Sequence, residues 1–143
     1  MTARTLARRG VVLPGVPESV RQARAVVRRE LGDRPGADAA VLAVSELASN
    51  AVRYTRSGLP GGTFAVSVQA GPGLVRIAVT DAGSTTRPRA RRARRGSEHG
   101  RGLTIVDALS VRWGSERAGA GRVTWCEIPA VAAGQAAAGR AIA

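Results

Sequence analysis

The stretch Asp38-Ala39-Ala40-Val41-Leu42-Ala43-Val44-Ser45-Glu46-Leu47-Ala48-Ser49-Asn50-Ala51-Val52-Arg53-Tyr54 reads as one amphipathic helix. Val41, Val44, Ala48 and Ala51 or Val52 recur at helical spacing and form an apolar stripe. Glu46, Asn50 and Arg53 fall on a different face, because residues three and four apart are neighbours on a helix. A carboxylate and an amide one turn apart can therefore address one ligand. The amide oxygen of Asn50 suits Mg²⁺, a hard cation that prefers oxygen and travels with phosphates. The carboxylate of Glu46 can take a proton from an attacking hydroxyl or from water. A solvated helix face would carry the same pair, so this stretch needs support from the rest of the chain.

Upstream, 6–13 reads as a first strand, interrupted at Arg8-Arg9-Gly10. A first helix is predicted over 17–31, with Pro17 and Glu18 in its first turn and Val20, Ala23, Val27 and Leu31 at helical spacing. Downstream, the glycines and Pro60 of 57–62 break the chain. Strands over 63–68 and 74–79 flank Gly71-Pro72-Gly73, a hairpin signal. Apolar periodicity then lapses from 82 to 100, where seven arginines fall between Arg87 and Arg101. Long polar loops in compact domains are functional or disordered. Leu103, Ile105, Val106 and Leu109 pattern a short helix. Strands over 111–113 and 123–128 close the order around a turn at 119–121.

Two further motifs carry chemistry. Asp81-Ala82-Gly83 ends an apolar strand, where Asp81 can accept a hydrogen bond from an exocyclic amine such as that of adenine. Gly83 lets backbone come close to a ligand. An ordinary turn would use the same residue types. Gly100-Arg101-Gly102 directly precedes a helix, and exposed N–H groups at a helix N-terminus favour an anion such as phosphate. A lone Gly-x-Gly is weak on its own.

The three motifs, in this order and at these separations, resemble the N, G1 and G2 boxes of the GHKL (Bergerat-fold) ATPase and kinase superfamily over 17–128. Within it the chain is similar to bacterial anti-sigma-factor serine kinases and related ATP-binding regulators. Pro17-Glu18-Ser19-Val20, and Val106-Asp107-Ala108-Leu109 with Arg112-Trp113-Gly114, add to the likeness. The resemblance implies an α+β fold, a two-layer sandwich with helices on one face of a mixed sheet. It implies Mg²⁺ at Asn50, Glu46 as general base, and Asp81 reading adenine with Gly83 beneath the ring. It further implies an ATP lid over 82–99, and phosphates cradled by Gly100 and Gly102 with Arg101 in reach. The implied activity is a serine/threonine-protein kinase that uses Mg-ATP on a small anti-anti-sigma-type partner, and binds a sigma factor as a homodimer. One departure stands out: relatives often carry Thr two residues before the last-strand aromatic, where this chain has Val123. Thr124 is expected to point to the other side of the strand.

Composition bounds these readings. A chain of 143 residues with 44% hydrophobic content suits one globular domain. The domain is expected over 1–129, with an Ala/Gly-rich flexible tail over 130–143. No apolar run reaches the roughly 18 residues of a membrane span. No signal peptide is evident, and the single Cys126 makes no internal disulfide, so a cytoplasmic protein is expected. The net charge of +12 raises nucleic acid as a partner. All the basic residues are Arg, however, and with one Phe, one Tyr and two Trp there is little to stack on bases. Two rivals to the kinase stay open. One is a module that binds nucleotide and sequesters a protein without phosphoryl transfer. The other is a basic nucleic-acid binder.

Overall fold

The computed structural model describes residues 9–84 and 101–130. The elements run β1 (Arg9–Pro14), α1 (Glu18–Leu31), α2 (Ala37–Tyr54), β2 (Thr63–Gly71), β3 (Leu74–Asp81), α3 (Arg101–Leu109), β4 (Arg112–Ala118) and β5 (Gly121–Pro129). A short 3-10 turn, Arg56–Gly58, follows α2. The strands form one sheet in the order β1-β2-β3-β5-β4.

The α+β two-layer expectation holds, with one correction. Every ladder among the described residues is antiparallel, so the sheet is not mixed. The α3 connection does bring the chain back along the direction of β3. The β4–β5 hairpin then inserts β5 between them, so β3 and β4 run alike without pairing. The expected bounds of both long helices hold to within one residue.

Strand alternation divides the sheet into two faces. Phe64, Val66 and Val68 of β2, Val75, Ile77 and Val79 of β3, and Cys126 and Ile128 of β5 are buried on the helical side. Ala23, Val27 and Leu31 of α1 meet them, each one turn from the next. The buried stripe of α2 is mostly alanine (Ala37, Ala40, Ala43, Ala48 and Ala51, with Val44 and Leu47), which lets this helix lie close to its neighbours. Cys126 is a buried hydrophobe, as its sequence context suggests, and burial pushes its thiol up to about 11. It is thus no nucleophile at neutral pH. Among the described residues no helix is long and apolar enough to cross a membrane.

Among the described residues, the opposite face carries no helix. Its centre is Trp125, with the Arg76 guanidinium 4.2 Å above the ring. Arg76 also donates to Glu127 at 3.0 Å, and Arg112 donates to the other Glu127 oxygen. Glu127 is only 8% exposed. The Arg112 hydrogen bond, with that of Arg76, outweighs burial and holds its carboxyl below the usual range.

A carboxyl with a depressed folded pKa contributes stability that is present at neutral pH and lost as pH falls through that value. Glu127→Gln is therefore expected to lower Tm by several degrees at pH 7. The gap from wild type should close in acid, below about pH 4. Thermal unfolding followed by circular dichroism at several pH values checks this.

Candidate functional site

The site begins where α2 ends. Leu47, Ala48 and Ala51 turn inward, which leaves Glu46 and Asn50 half-buried one turn apart on another face. Thr55 closes the helix: its hydroxyl donates to the Ala51 carbonyl at 2.6 Å and accepts the Ser57 N–H at 3.0 Å. The chain then turns sharply and meets the segment that leaves β3. The Arg56 N–H donates to the Gly83 carbonyl at 2.7 Å. The buried Ser57 hydroxyl accepts the Ala82 N–H at 3.0 Å. Thr55 bridges Ser84 as a lone strand pair. The Glu46–Asn50 helix and the Asp81-Ala82-Gly83 motif, some thirty residues apart in sequence, are thus fastened together by backbone and hydroxyl groups.

Asp81 is the last residue of β3, and one of its oxygens accepts the Gly83 N–H at 2.7 Å. Two glycines make the geometry possible. Gly83 has φ +102°, and a Cβ there would lie 2.5 Å from the Ala120 carbonyl oxygen. A Cβ on Gly121 would lie 1.8 Å from the Asp81 carbonyl oxygen. The close backbone approach that the sequence suggests at Gly83 is thus an approach to the β4–β5 turn of the protein itself. Burial raises the Asp81 pKa, opposed by backbone hydrogen bonds at Gly83 and Arg122 and by the Arg122 charge.

The face of Thr124 corrects the sequence expectation. Directly opposed residues of an antiparallel pair point to the same side. Thr124 pairs with Val79, as Cys126 pairs with Ile77 and Ile128 with Val75, and all these positions face the helices. Asp81 alternates with Val79 and shares that face. Val123 pairs with Thr80 on the open side, beside Trp125. Counting back from the aromatic fails because Trp125 is itself on the open face. The Thr124 hydroxyl lies 3.3 Å from that of Ser115, which accepts from Arg122 Nε at 3.1 Å. Thr124, Ser115 and Arg122 form a polar group beside Asp81 that motif reading missed. The alternation Thr124-Cys126-Ile128 was the signal that could have found it.

The third motif is described only in part. Gly100 lies outside the described residues, as does the expected lid from 85 to 99. Arg101 and Gly102 are the first two residues of α3. Leu103 packs against the core, Val106 is fully buried in it, and α3 lies against α2. Asp107 fixes the far end of the helix by accepting Trp113 Nε1–H at 2.8 Å. The N-terminal end of α3 is therefore carried by the same helix that bears Glu46 and Asn50.

Among the described residues no three His, Cys, Asp or Glu side chains cluster as metal ligands. The donor set here, one amide oxygen beside one carboxylate, does suit Mg²⁺ that is held chiefly by phosphates and water.

Comparison with known proteins bears on the family and the fold. Residues 13–127 match the histidine kinase-like ATPase domain family, which is most of the chain. Among solved structures, the chain is similar to the RsbU and RsbW domains of Rv1364c from Mycobacterium tuberculosis, with a TM-score of 0.65 and 20% identity over 86% of this chain. At that identity the likeness shows the fold, and the aligned region covers 32% of the larger chain. Comparison with curated proteins by sequence gives no match. A five-stranded antiparallel sheet under α1, α2 and α3, with the match over 13–127, establishes that the chain belongs to the histidine kinase-like ATPase domain family.

Proposed function

We propose that the chain is an ATP-dependent serine/threonine-protein kinase and anti-sigma-type regulator, whose substrate is a serine on a small anti-anti-sigma-type protein. The observation that carries this reading is the fastening of the Glu46–Asn50 helix to the Asp81-Gly83 turn. It ties the helix that carries Glu46, read here as the base, and Asn50, read as a hard oxygen ligand, to the turn that carries Asp81, read as the amine acceptor. The RsbW domain in the similar structure supports an anti-sigma setting.

Each residue then has a task. Asp81 accepts the exocyclic amine of adenine, and the Thr124 hydroxyl lies on the same face. Asn50 offers its amide oxygen to Mg²⁺. The N-terminal end of α3, with Gly100, Arg101 and Gly102, favours the phosphates. Mg-ATP supplies the transferable phosphoryl group. Glu46 would take the proton of the incoming serine hydroxyl as its Oγ bonds the γ-phosphorus and the bond to the β–γ bridging oxygen breaks, with ADP leaving; positioning and charge neutralisation supply the rest of the catalysis. In this reading the lid lies within the expected 82–99 but beyond the seam that holds 82–84 to α2, the domain spans 1–129, and the working form is a cytoplasmic homodimer that also holds a sigma factor.

The direct test is transfer of radiolabelled phosphate from Mg-ATP to a purified anti-anti-sigma-type protein of the same organism. Wild type is expected to label it on serine. Glu46→Gln should keep Mg-ATP affinity and lose transfer by about a hundredfold. Tight Mg-ATP binding with no labelled serine would instead favour a nucleotide-binding module that sequesters its partner.

Asp81→Asn separates stability from binding. A carboxyl whose folded pKa is raised weakens the fold once pH exceeds its ordinary value, and costs nothing below it. The variant is therefore expected to match or exceed wild-type Tm at pH 7 without nucleotide, with the difference vanishing below about pH 4. Its ATP affinity should fall by about ten- to a hundredfold, as loss of a hydrogen bond to a charged group implies. Thermal unfolding and calorimetric titration read the two effects.

A further inference from the structure

Three arginines line one hollow beside the Glu46–Asn50 face of α2. A cavity of about 550 Å³ opens between α1 and α2, with Arg21, Arg24 and Arg53 on its walls and Val20 and Val52 among them. All three arginines are exposed. Arg24 donates to the Ser45 hydroxyl at 3.1 Å. None of the three has a carboxylate partner among the described residues, whereas Arg28, Arg76 and Arg112 all do. Among the described residues, Glu18 is the one acid on the wall.

A second hollow of about 410 Å³ lies at the β1–α1 turn; Val16 lines it, and the next residue, Pro17, lines the first. Its surroundings are apolar. Val12, Val16 and Leu59 are 66%, 43% and 51% exposed, a concentration of large hydrophobic groups on an otherwise arginine-rich surface. Guanidinium pairs well with carboxylate, and the neighbouring apolar patch matches the other face of an amphipathic segment. We propose that this composite groove docks an acidic, amphipathic segment of the partner protein.

The chemistry selects that occupant. A second copy of this chain would bring a net charge of +12 to a basic groove. A nucleic acid would leave Val12, Val16 and Leu59 unused. Arg53 lies three residues beyond Asn50 on α2, so a segment held here presents the partner beside Glu46 and Asn50. The role as a substrate dock rests on the kinase reading above; the groove's preference for acidic amphipathic protein does not.

The test uses the full chain and a fluorescein-labelled peptide of Leu, Ala and Glu, with Leu at helical spacing, followed by anisotropy. Wild type is expected to bind it. Arg21→Glu with Arg24→Glu should weaken binding at least about tenfold. Leu59→Ser should weaken it about threefold or more, as loss of apolar contact implies. Arg29→Glu with Arg117→Glu changes net charge equally outside the groove and should shift affinity less than about twofold. The groove double variant should keep the wild-type Mg-ATP thermal shift, which reports on the nucleotide site alone. No peptide binding, or equal loss in the two double variants, overturns the proposal. So does oligothymidine binding that the groove variant abolishes while peptide binding persists. So does a dimer that this variant dissociates without any effect on the peptide. Peptide binding with the expected pattern, but no Mg-ATP shift in wild type, would support the groove and overturn the nucleotide reading.

Discussion

The hydrogen bond from the Ala82 N–H to the buried Ser57 hydroxyl is the constraint on which the site depends. Ser57 follows α2, and Ala82 follows β3. The buried group is the Ser57 hydroxyl, which belongs to the segment that closes the Glu46–Asn50 helix and needs a partner where it is shut off from water. Arg56 to Gly83 and Thr55 to Ser84 extend the same seam. With it, the amide of Asn50 and the carboxyl of Asp81 keep a fixed relation.

The rest of the sheet end is arranged around Asp81. Gly121 admits the β4–β5 turn against the Asp81 carbonyl, and Gly83 takes a left-handed conformation against Ala120. Burial raises the Asp81 pKa, and the Gly83 and Arg122 backbone hydrogen bonds with the Arg122 charge offset part of that cost. On the far face, Arg76, Glu127 and Arg112 form a paired network over Trp125. The two faces thus use carboxylates oppositely: Glu127 is fully partnered and holds the sheet, whereas Asp81 is strained by burial beside Thr124 and Ser115.

The sequence made the helices legible because their apolar spacing is strong. Ala23, Val27 and Leu31 had no other reading, and the extent of α2 followed from its own stripe. The Gly71-Pro72-Gly73 turn fixed the β2–β3 hairpin. β4 was expected over 111–113 and runs Arg112–Ala118, because Ser115, Glu116 and Arg117 sit exposed on an edge strand and carry no alternation. The antiparallel order escaped local reading, since insertion of β5 beside β3 is a long-range event. Thr124 was misplaced for a related reason: its face is set by pairing with Val79, not by distance from an aromatic. Of the expected site residues, Glu46 and Asn50 share one face of α2, Asp81 and Gly83 lie at the turn fastened to the end of that helix, Arg101 and Gly102 open α3, and Gly100 lies outside the described residues.

The central claim is a single Mg-nucleotide site at the end of α2. Thermal unfolding with and without Mg-ATP, for wild type and Asn50→Ala, tests it most directly. At about a hundred times the dissociation constant, ligand should stabilise wild type by roughly 2.7 kcal/mol, a shift that needs Mg²⁺ and disappears in Asn50→Ala. No shift in wild type, or an equal shift in Asn50→Ala, would contradict the account.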